Sequence, residues 1–354
     1  MTRSALLRRA PAGPPVWLAA VALLLPAASA RADSAADFYR GKTVTIEVGY
    51  GPGGGYDLTS RLIAQSYGKH IPGNPNVIVE NVPGAGGLKL ANMIYNTVAK
   101  DGLTLGVFSS RLLLEPLYGD DRAQFQPAGF AWIGSMDTDI ESCGVWKGAG
   151  VGIRTLPDLI AASRTITFGS TSAGTGDTQY PLFFKNALGA PVTVINGYSG
   201  TQDIMLAMQR GEIDAACGFY ESSVRGAYMQ ELRVGDLGIF VQTALGEKSP
   251  LFGDATPVMD AIKDKEMRRA ADLVFGPSLI ARPLVAPPGT PEDRVAALRM
   301  ALLATVRDQA TIAAAQKMGM TLQPKSGEEV ERMIDEFQAT PTELVKKAYA
   351  YTHE

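Results

Sequence analysis

Twice in this chain an apolar strand runs into a loop of small residues, and the loop runs into a helix. Thr43–Val48 reads as a strand, followed by the glycine-rich stretch Gly49–Gly55 and a helix over 57–70. Ile166–Phe168 reads as a strand, followed by the Gly/Ser/Thr/Ala loop Gly169–Gly176 and a helix from about Asp177. Each pattern then continues. The first adds a strand at Val77–Val79, a loop at Pro83–Gly87, a helix over Leu88–Val98 and a strand at Leu103–Phe108. The second adds a strand at Val192–Ile195, a helix over Thr201–Arg210 and a strand at Ile213–Gly218. Runs of this βαβαβ kind close into parallel sheets with crossover helices on both faces. Two of them in 354 residues predict an α/β chain of two doubly wound, Rossmann-like domains.

The ends of the chain behave differently. Arg3, Arg8 and Arg9 precede an apolar run over Val16–Leu25, and Ala28-Ser29-Ala30 follows as an A-x-A cleavage pattern. The run is too short to span a membrane and reads as a secretory signal peptide over 1–30, which places the mature protein in the periplasm. At the other end, Ile280–Pro287 is extended, and Pro288-Gly289-Thr290-Pro291 stops it and opens a helix. Val295, Leu298, Leu302 and Val306 repeat at helical spacing, and further helices start near Gln309 and Gly327. This tail is read as packing back on the first βαβ run. Domain 1 is then 31–140 plus 247–354 and domain 2 is 141–246, joined by a two-segment hinge near Asp137–Ser142 and Thr243–Ser249.

Composition narrows the function. The full sequence carries a net charge of −3, and loss of 1–30 removes three arginines and no acid. Without a basic cluster, nucleic acid and anionic membrane surfaces are not expected partners. Two cysteines, Cys143 and Cys217, with two histidines, His70 and His353, make no zinc-type cluster. In an oxidising compartment the two cysteines either pair or lie buried as small apolar residues; the sequence leaves both open.

Ligands of open parallel sheets bind beyond the carboxyl ends of the strands. Four loops there are rich in small residues: Gly49–Asp57, Val82–Gly87, Ser109–Arg111 and Gly169–Thr178. Glycine lets backbone approach a ligand, and the helix after each loop offers free N–H groups and its positive dipole end. Two domains facing each other with such loops suit a small dianion or carboxylate. Ser170, Thr171, Ser172, Thr175 and Thr178 are candidate hydroxyl donors. Ser109 and Arg111 follow the third strand, where Arg111 either meets a ligand carboxylate or forms a structural ion pair. Asp57 and Asp177 read as helix N-caps. Gly49-x-Gly51-x-x-Gly54 matches the dinucleotide fingerprint by letter, but Pro52 falls inside it and the acid at Glu80 comes late, so no nucleotide cofactor is expected. Glu221 and Asp214 form the one candidate acid/base pair, and no partner residues for catalysis accompany them.

In sequence order, Gly54-Gly55-Tyr56-Asp57, Glu80-Asn81-Val82-Pro83-Gly84-Ala85-Gly86-Gly87 and Asp101-Gly102-Leu103-Thr104-Leu105 resemble the Bug family, the TctC-like substrate-binding proteins of tripartite tricarboxylate transporters. Tyr198-Ser199-Gly200, Gly211-Glu212-Ile213-Asp214 and Ala286-Pro287-Pro288-Gly289-Thr290-Pro291 look like the family's later landmarks. The resemblance implies a type II periplasmic binding fold that closes like a flytrap on a carboxylate, and a monomeric receptor that delivers its organic acid to integral-membrane permease subunits. It implies no enzyme activity and no cofactor. Carried over by position, it implies ligand contacts at Gly54, Gly55 and Asp57, then Ser170, Ala173, Gly174 and Thr178, with Tyr198 and Gly200 nearby and Asp57 organising its loop.

Some residues depart from the family's pattern. Tyr56 stands where a small Thr or Ser is usual, Val82 where a basic residue is usual, and Ser199 where Lys is common. Glu221 lies where the last loop of domain 2 would approach the cleft. The ligand is therefore open between a citrate-like acid, an aromatic acid, and an acid whose amino group meets Glu221. A receptor that signals to a membrane kinase, or an exported acid/base enzyme, would need the same exported chain.

Overall fold

The computed structural model describes residues 1–2, 35–137, 140–243, 245, 248–320 and 322–354. The segment read as a signal peptide lies, from residue 3 onward, outside the described residues.

The described residues form two six-stranded sheets with similarly arranged parallel cores. In the first, β1 (Thr43–Val48) lies between β2 (Asn76–Asn81) and β3 (Thr104–Val107), all parallel. β3 then pairs with the antiparallel β11 (Ala281–Ala286), β11 with β4 (Ala131–Asp137), and β4 with the short β12 (Lys325–Ser326). In the second, β6 (Ile166–Ser170) lies between the parallel β7 (Val192–Asn196) and β8 (Ala215–Tyr220). β5 (Glu141–Trp146) runs antiparallel to β8 and to β9 (Leu237–Gln242), and β10 (Thr256–Pro257) closes the edge. The two βαβ runs are thus the parallel halves of mixed sheets, completed by the antiparallel β11 and β12 in the first and by the antiparallel β5 in the second. β4 ends in the first sheet at Asp137 and β5 opens the second at Glu141, within the predicted first crossing.

Helix periodicity decides what covers the sheets. In α1 (Gly55–His70) the residues Ile63 and Tyr67 share a face and join the core over β1 and β3. α2 (Leu88–Asn96) covers the other face with Leu90, Ala91 and Ile94. On the second sheet, α3 (Gly176–Asn186) buries Tyr180, Phe183 and Phe184, while α4 (Thr201–Gln209) buries Ile204, Met205 and Met208 on the opposite side. The short α5 (Glu221–Ala227) follows β8 directly.

The C-terminal third divides between the two cores, where the sequence placed it with the first. β10 pairs with β9 of the second sheet. α6 (Lys265–Phe275) buries Ala270, Ala271, Val274 and Phe275 in the second core, with Phe275 4.7 Å from the Tyr180 ring and 5.1 Å from Phe183. The chain then returns to the first sheet as β11. α7 (Glu292–Arg307) packs on α1, where the Tyr67 hydroxyl donates to the Leu298 carbonyl at 3.0 Å, and α8 (Gly327–Gln338) packs beside β4. α9 (Thr342–Thr352) crosses back, with Val345 and Ala348 in the second core and Tyr351 against Phe183. Apolar stripes of these helices fit either core by composition; aromatic packing on α3 decides for α6 and α9.

Cys143 and Cys217 are registered partners on β5 and β8 and form a disulfide. The bridge spans 74 residues of sequence, and linking a chain over such a distance removes unfolded-state freedom worth about 2–5 kcal/mol. The double variant Cys143→Ala/Cys217→Ala is expected to keep its far-UV spectrum and to unfold at a clearly lower temperature and urea concentration. Coincident unfolding curves would mean that the bridge contributes nothing to stability.

Candidate functional site

The parallel strands of both sheets end at one cavity of about 320 Å³ between the domains. From the first domain, Tyr50, Gly54, Gly55 and Tyr56 reach it on the β1–α1 loop, and Ser109 and Arg111 after β3. From the second, Thr171, Thr175, Gly176 and Asp177 arrive on the β6–α3 loop, and Ser199 through Asp203 on the β7–α4 loop. Gly218, Tyr220 and Ser223 come from the end of β8, and Glu141 from the start of β5.

Three helices of nine residues or more begin in this wall. α1, α3 and α4 start after Gly54, Thr175 and Gly200, and no side chain caps any of them. Elsewhere the chain does cap helices: Thr155 and Ser326 make full capping boxes, and Asp264 accepts from the Met267 N–H. An uncapped N-terminus leaves backbone donors and the positive end of the dipole directed at whatever fills the space.

Arg111 adds a full charge. Its side chain is buried, at 2% exposure, and its guanidinium lies 4.3 Å over the Tyr180 ring. Nη2 donates to Glu141 Oε2, whereas Nη1 has no hydrogen-bond partner among the described residues. Arg111 belongs to the first domain and Glu141, Tyr180 and Gly176 to the second. Only glycine at 176 admits it, because a Cβ there would collide with Arg111 Nε.

Three tyrosines form an aromatic corner. Tyr50 and Tyr56 stack with centroids 4.5 Å apart, and Tyr220 meets Tyr56 edge-on at 6.2 Å. The Tyr56 and Tyr220 hydroxyls bond each other at 3.4 Å across the domains, and the Tyr50 hydroxyl donates to the Gly86 carbonyl at 2.9 Å.

The residues singled out in the sequence take several places. Gly54, Gly55, Tyr56, Ser109, Arg111, Thr175 and Gly200 line the cavity. Asp57 does not line it: its carboxylate accepts from the Gly53 N–H at 2.9 Å, from Arg61 and from Asn81. Burial alone would raise the Asp57 pKa, but these three donors outweigh it and hold the carboxyl below its ordinary value. Ser170 and Thr178 bond each other beneath the loop, Thr178 also reaching the Ser172 carbonyl and Asn196 at 2.7 Å. Ala173 is outside the wall, and Gly174 lies against Glu115 instead. Tyr198 packs with Ile204 and Ile213. Glu221 accepts from Arg225 at 2.8 Å, and Asp214 from Arg164 at 2.7 Å. Those two carboxylates lie at opposite ends of β8 and do not form a pair.

Tyr50, Glu141, Asp177, Tyr220 and Ser223 were not singled out as ligand contacts. Tyr220 and Ser223 follow a parallel strand, so the strand-end rule reaches them once β8 is extended to its true end. Asp177 opens α3, yet its side chain turns back on the loop, accepting from the Thr171 N–H at 2.9 Å and from the Thr171 and Thr175 hydroxyls. Its burial raises its pKa despite these bonds. Glu141 starts a crossing strand, and no sequence signal marks it.

Two mixed α/β domains, each built on a βαβαβ core, with a cavity at facing strand ends, define a type II periplasmic binding protein fold. The chain belongs to the tripartite tricarboxylate transporter family receptors, whose family model matches residues 60–349. Among solved structures it is similar to the periplasmic binding protein BugD, at 19% identity and a TM-score of 0.68 over 88% of this chain and 99% of that one. MatC of Rhodopseudomonas palustris, with bound malate, is similar at 20% identity and a TM-score of 0.66 over 86% of this chain and 99% of that one. An Agrobacterium vitis protein from the TAR-I ttuE-ttuC' intergenic region is 31% identical over 191 residues, so the match spans 52% of each chain, about half the length of that relative.

One buried carboxyl outside the cavity also joins the domains. Glu115 is 2% exposed and accepts from Gln179 Nε2 of α3 at 3.1 Å. Burial, reinforced by Asp120, pushes its pKa up to about 8. At low pH the group is protonated in both folded and unfolded chains. Above pH 4.5 the unfolded chain ionises it while the folded chain keeps the proton to about 8, so stability falls across that interval. The slope is at most about 1.4 kcal/mol per pH unit. Glu115→Gln is expected to flatten the loss of melting temperature between pH 5 and pH 8. Parallel wild-type and variant profiles would contradict the assignment.

Proposed function

We propose that this protein is an exported, periplasmic solute-binding protein that captures a small organic carboxylate between its domains and presents it to integral-membrane permease subunits. It works as a monomer, without turnover and without a resident cofactor. The observation that carries the reading is the convergence of three uncapped helix N-termini and the Arg111 guanidinium on one cavity. Backbone donors, dipoles and a guanidinium nitrogen together favour an anion, and a planar carboxylate matches the guanidinium edge. The malate named with MatC supports the same ligand chemistry, and family membership supports the permease as recipient.

Both domains contribute to the wall, so ligand capture and domain approach are coupled. Gln202 of the second domain already donates to the Gly53 carbonyl at 3.3 Å, and the Tyr56–Tyr220 contact closes beside it. A carboxylate held at the cleft would strengthen as water leaves.

Native mass spectrometry of the protein purified from its host, followed by identification of the released small molecule, tests the reading directly. One organic acid per chain is the expected result. Arg111→Gln should weaken that acid at least tenfold by calorimetry, since hydrogen bonds to charged groups contribute about 1.5–3 kcal/mol. A nucleotide or sugar as the bound species, or unchanged affinity in a folded Arg111→Gln variant, would overturn it.

A further inference from the structure

We propose that the cleft selects a monocarboxylic acid with a flat, aromatic body, an inference that rests on the carboxylate reading above and narrows it. The first ground is what the three tyrosines offer. Their hydroxyls are committed within the protein, Tyr50 to the Gly86 carbonyl and Tyr56 and Tyr220 to each other. What remains toward the cavity is ring surface. Tyr50 and Tyr56 lie nearly parallel, with 25° between their planes, while Tyr220 stands at 87° to Tyr56. Aromatic groups associate by offset stacking and by edge-to-face contact, and this corner supplies a face and an edge together.

Charge is the second ground. Among the described residues, Arg111 is the one lysine or arginine in the cavity wall, and part of its charge is already balanced by Glu141. The other buried arginine at the cleft, Arg282, donates to Asp137 at 2.8 Å and to Ser222 at 2.7 Å, with its guanidinium 4.7 Å over the Tyr220 ring. Asp177 stands in the same wall. A second or third ligand carboxylate would be placed among Glu141 and Asp177 with no further lysine or arginine in the wall among the described residues to meet it, which is unfavourable in a partly desolvated site. A single carboxylate fits this balance. Nor does the cleft offer the amino-group seat considered at Glu221, which is outside the wall and paired with Arg225. Size agrees: about 320 Å³ is at the low end for small-molecule sites and suits a one-ring acid.

The test is calorimetric titration of the whole protein, unfolded and refolded beforehand to release resident ligand. The probes are benzoate, phenylacetate, cyclohexanecarboxylate, malate and citrate. We expect an aromatic acid to bind at least tenfold more tightly than malate or citrate, and severalfold more tightly than cyclohexanecarboxylate, which matches benzoate in charge and size but is not flat. Tyr56→Leu should remove about three- to tenfold of that aromatic preference and leave cyclohexanecarboxylate nearly unchanged. Tyr220→Leu serves as the second variant, with thermal melts confirming that each is folded. Tightest binding of malate or citrate, or equal affinity for the flat and puckered rings, would overturn this inference and leave the carboxylate reading standing. Failure of all five acids to bind would overturn both.

Discussion

The cleft depends on one buried ion pair that spans it. Arg111 and Glu141 are each 2% exposed, and they come from different domains. Taking two charges out of water is costly, and such a pair persists only where further hydrogen bonds and contacts complete it. Here the Tyr180 hydroxyl donates to Glu141 Oε2 at 3.1 Å, and the Tyr180 ring underlies the guanidinium. Nη1 has no hydrogen-bond partner among the described residues. Because the pair bridges the two domains, an acid bound beside Arg111 would, on the proposed reading, also favour their approach. On the proposed reading, affinity and closure are one equilibrium seen from two sides.

Arg282 sets the hinge beside it. The residue is fully buried on the return strand β11, bonded to Asp137 at the end of β4 and to Ser222 in α5 of the other domain. Its backbone φ of 52° is unusual for a residue with a side chain and costs about 1–2 kcal/mol. The ion pair, the Ser222 hydroxyl and the Tyr220 ring hold it there. Glycine at position 55 makes room for this packing, since a Cβ would press on Ser223 and the Arg282 guanidinium. Two arginines therefore join the domains, Arg111 in the cavity wall and Arg282 behind Tyr220, each resting on a tyrosine of the second domain.

Much of the scaffold was legible because strand-to-helix punctuation is local. β1 occupies the residues read for it, and α1 starts at Gly55, two residues earlier than read. Long-range choices were not legible. The apolar stripe of α6 shows that it buries one face, but only the aromatic cluster of Tyr180, Phe183 and Phe275 selects the second core. Pairing of Cys143 with Cys217 required the antiparallel register of β5 on β8, which no local pattern encodes. In the site, glycine-rich loops pointed to the right strand ends. They could not separate Thr175, whose residue lines the cavity, from Thr178, which is tied beneath the loop by Ser170 and Asn196. That distinction is a matter of one helical turn, decided by where α3 begins.

The Val82–Gly87 loop, the most family-specific stretch of the sequence, is absent from the cavity wall, and its place explains how the wall is built. Gly86 has a φ of 63°, and its carbonyl receives the Tyr50 hydroxyl. A Cβ on Gly86 would strike Thr175 and Ser172, so the same residue orients an aromatic of its own domain and admits the facing loop of the other. Asp57 performs the matching task on the neighbouring loop, binding Gly53, Arg61 and Asn81 and thereby fixing the backbone that carries Tyr56. The loop backbone is thus held by groups that face away from the cavity, while Tyr50 and Tyr56 project into it. On the proposed reading, replacing those side chains would change what the cleft accepts without disturbing the helix N-termini that attract an anion. On that reading, specificity and anion capture are separable because different groups carry them: tyrosine side chains for the first, backbone N–H groups and Arg111 for the second.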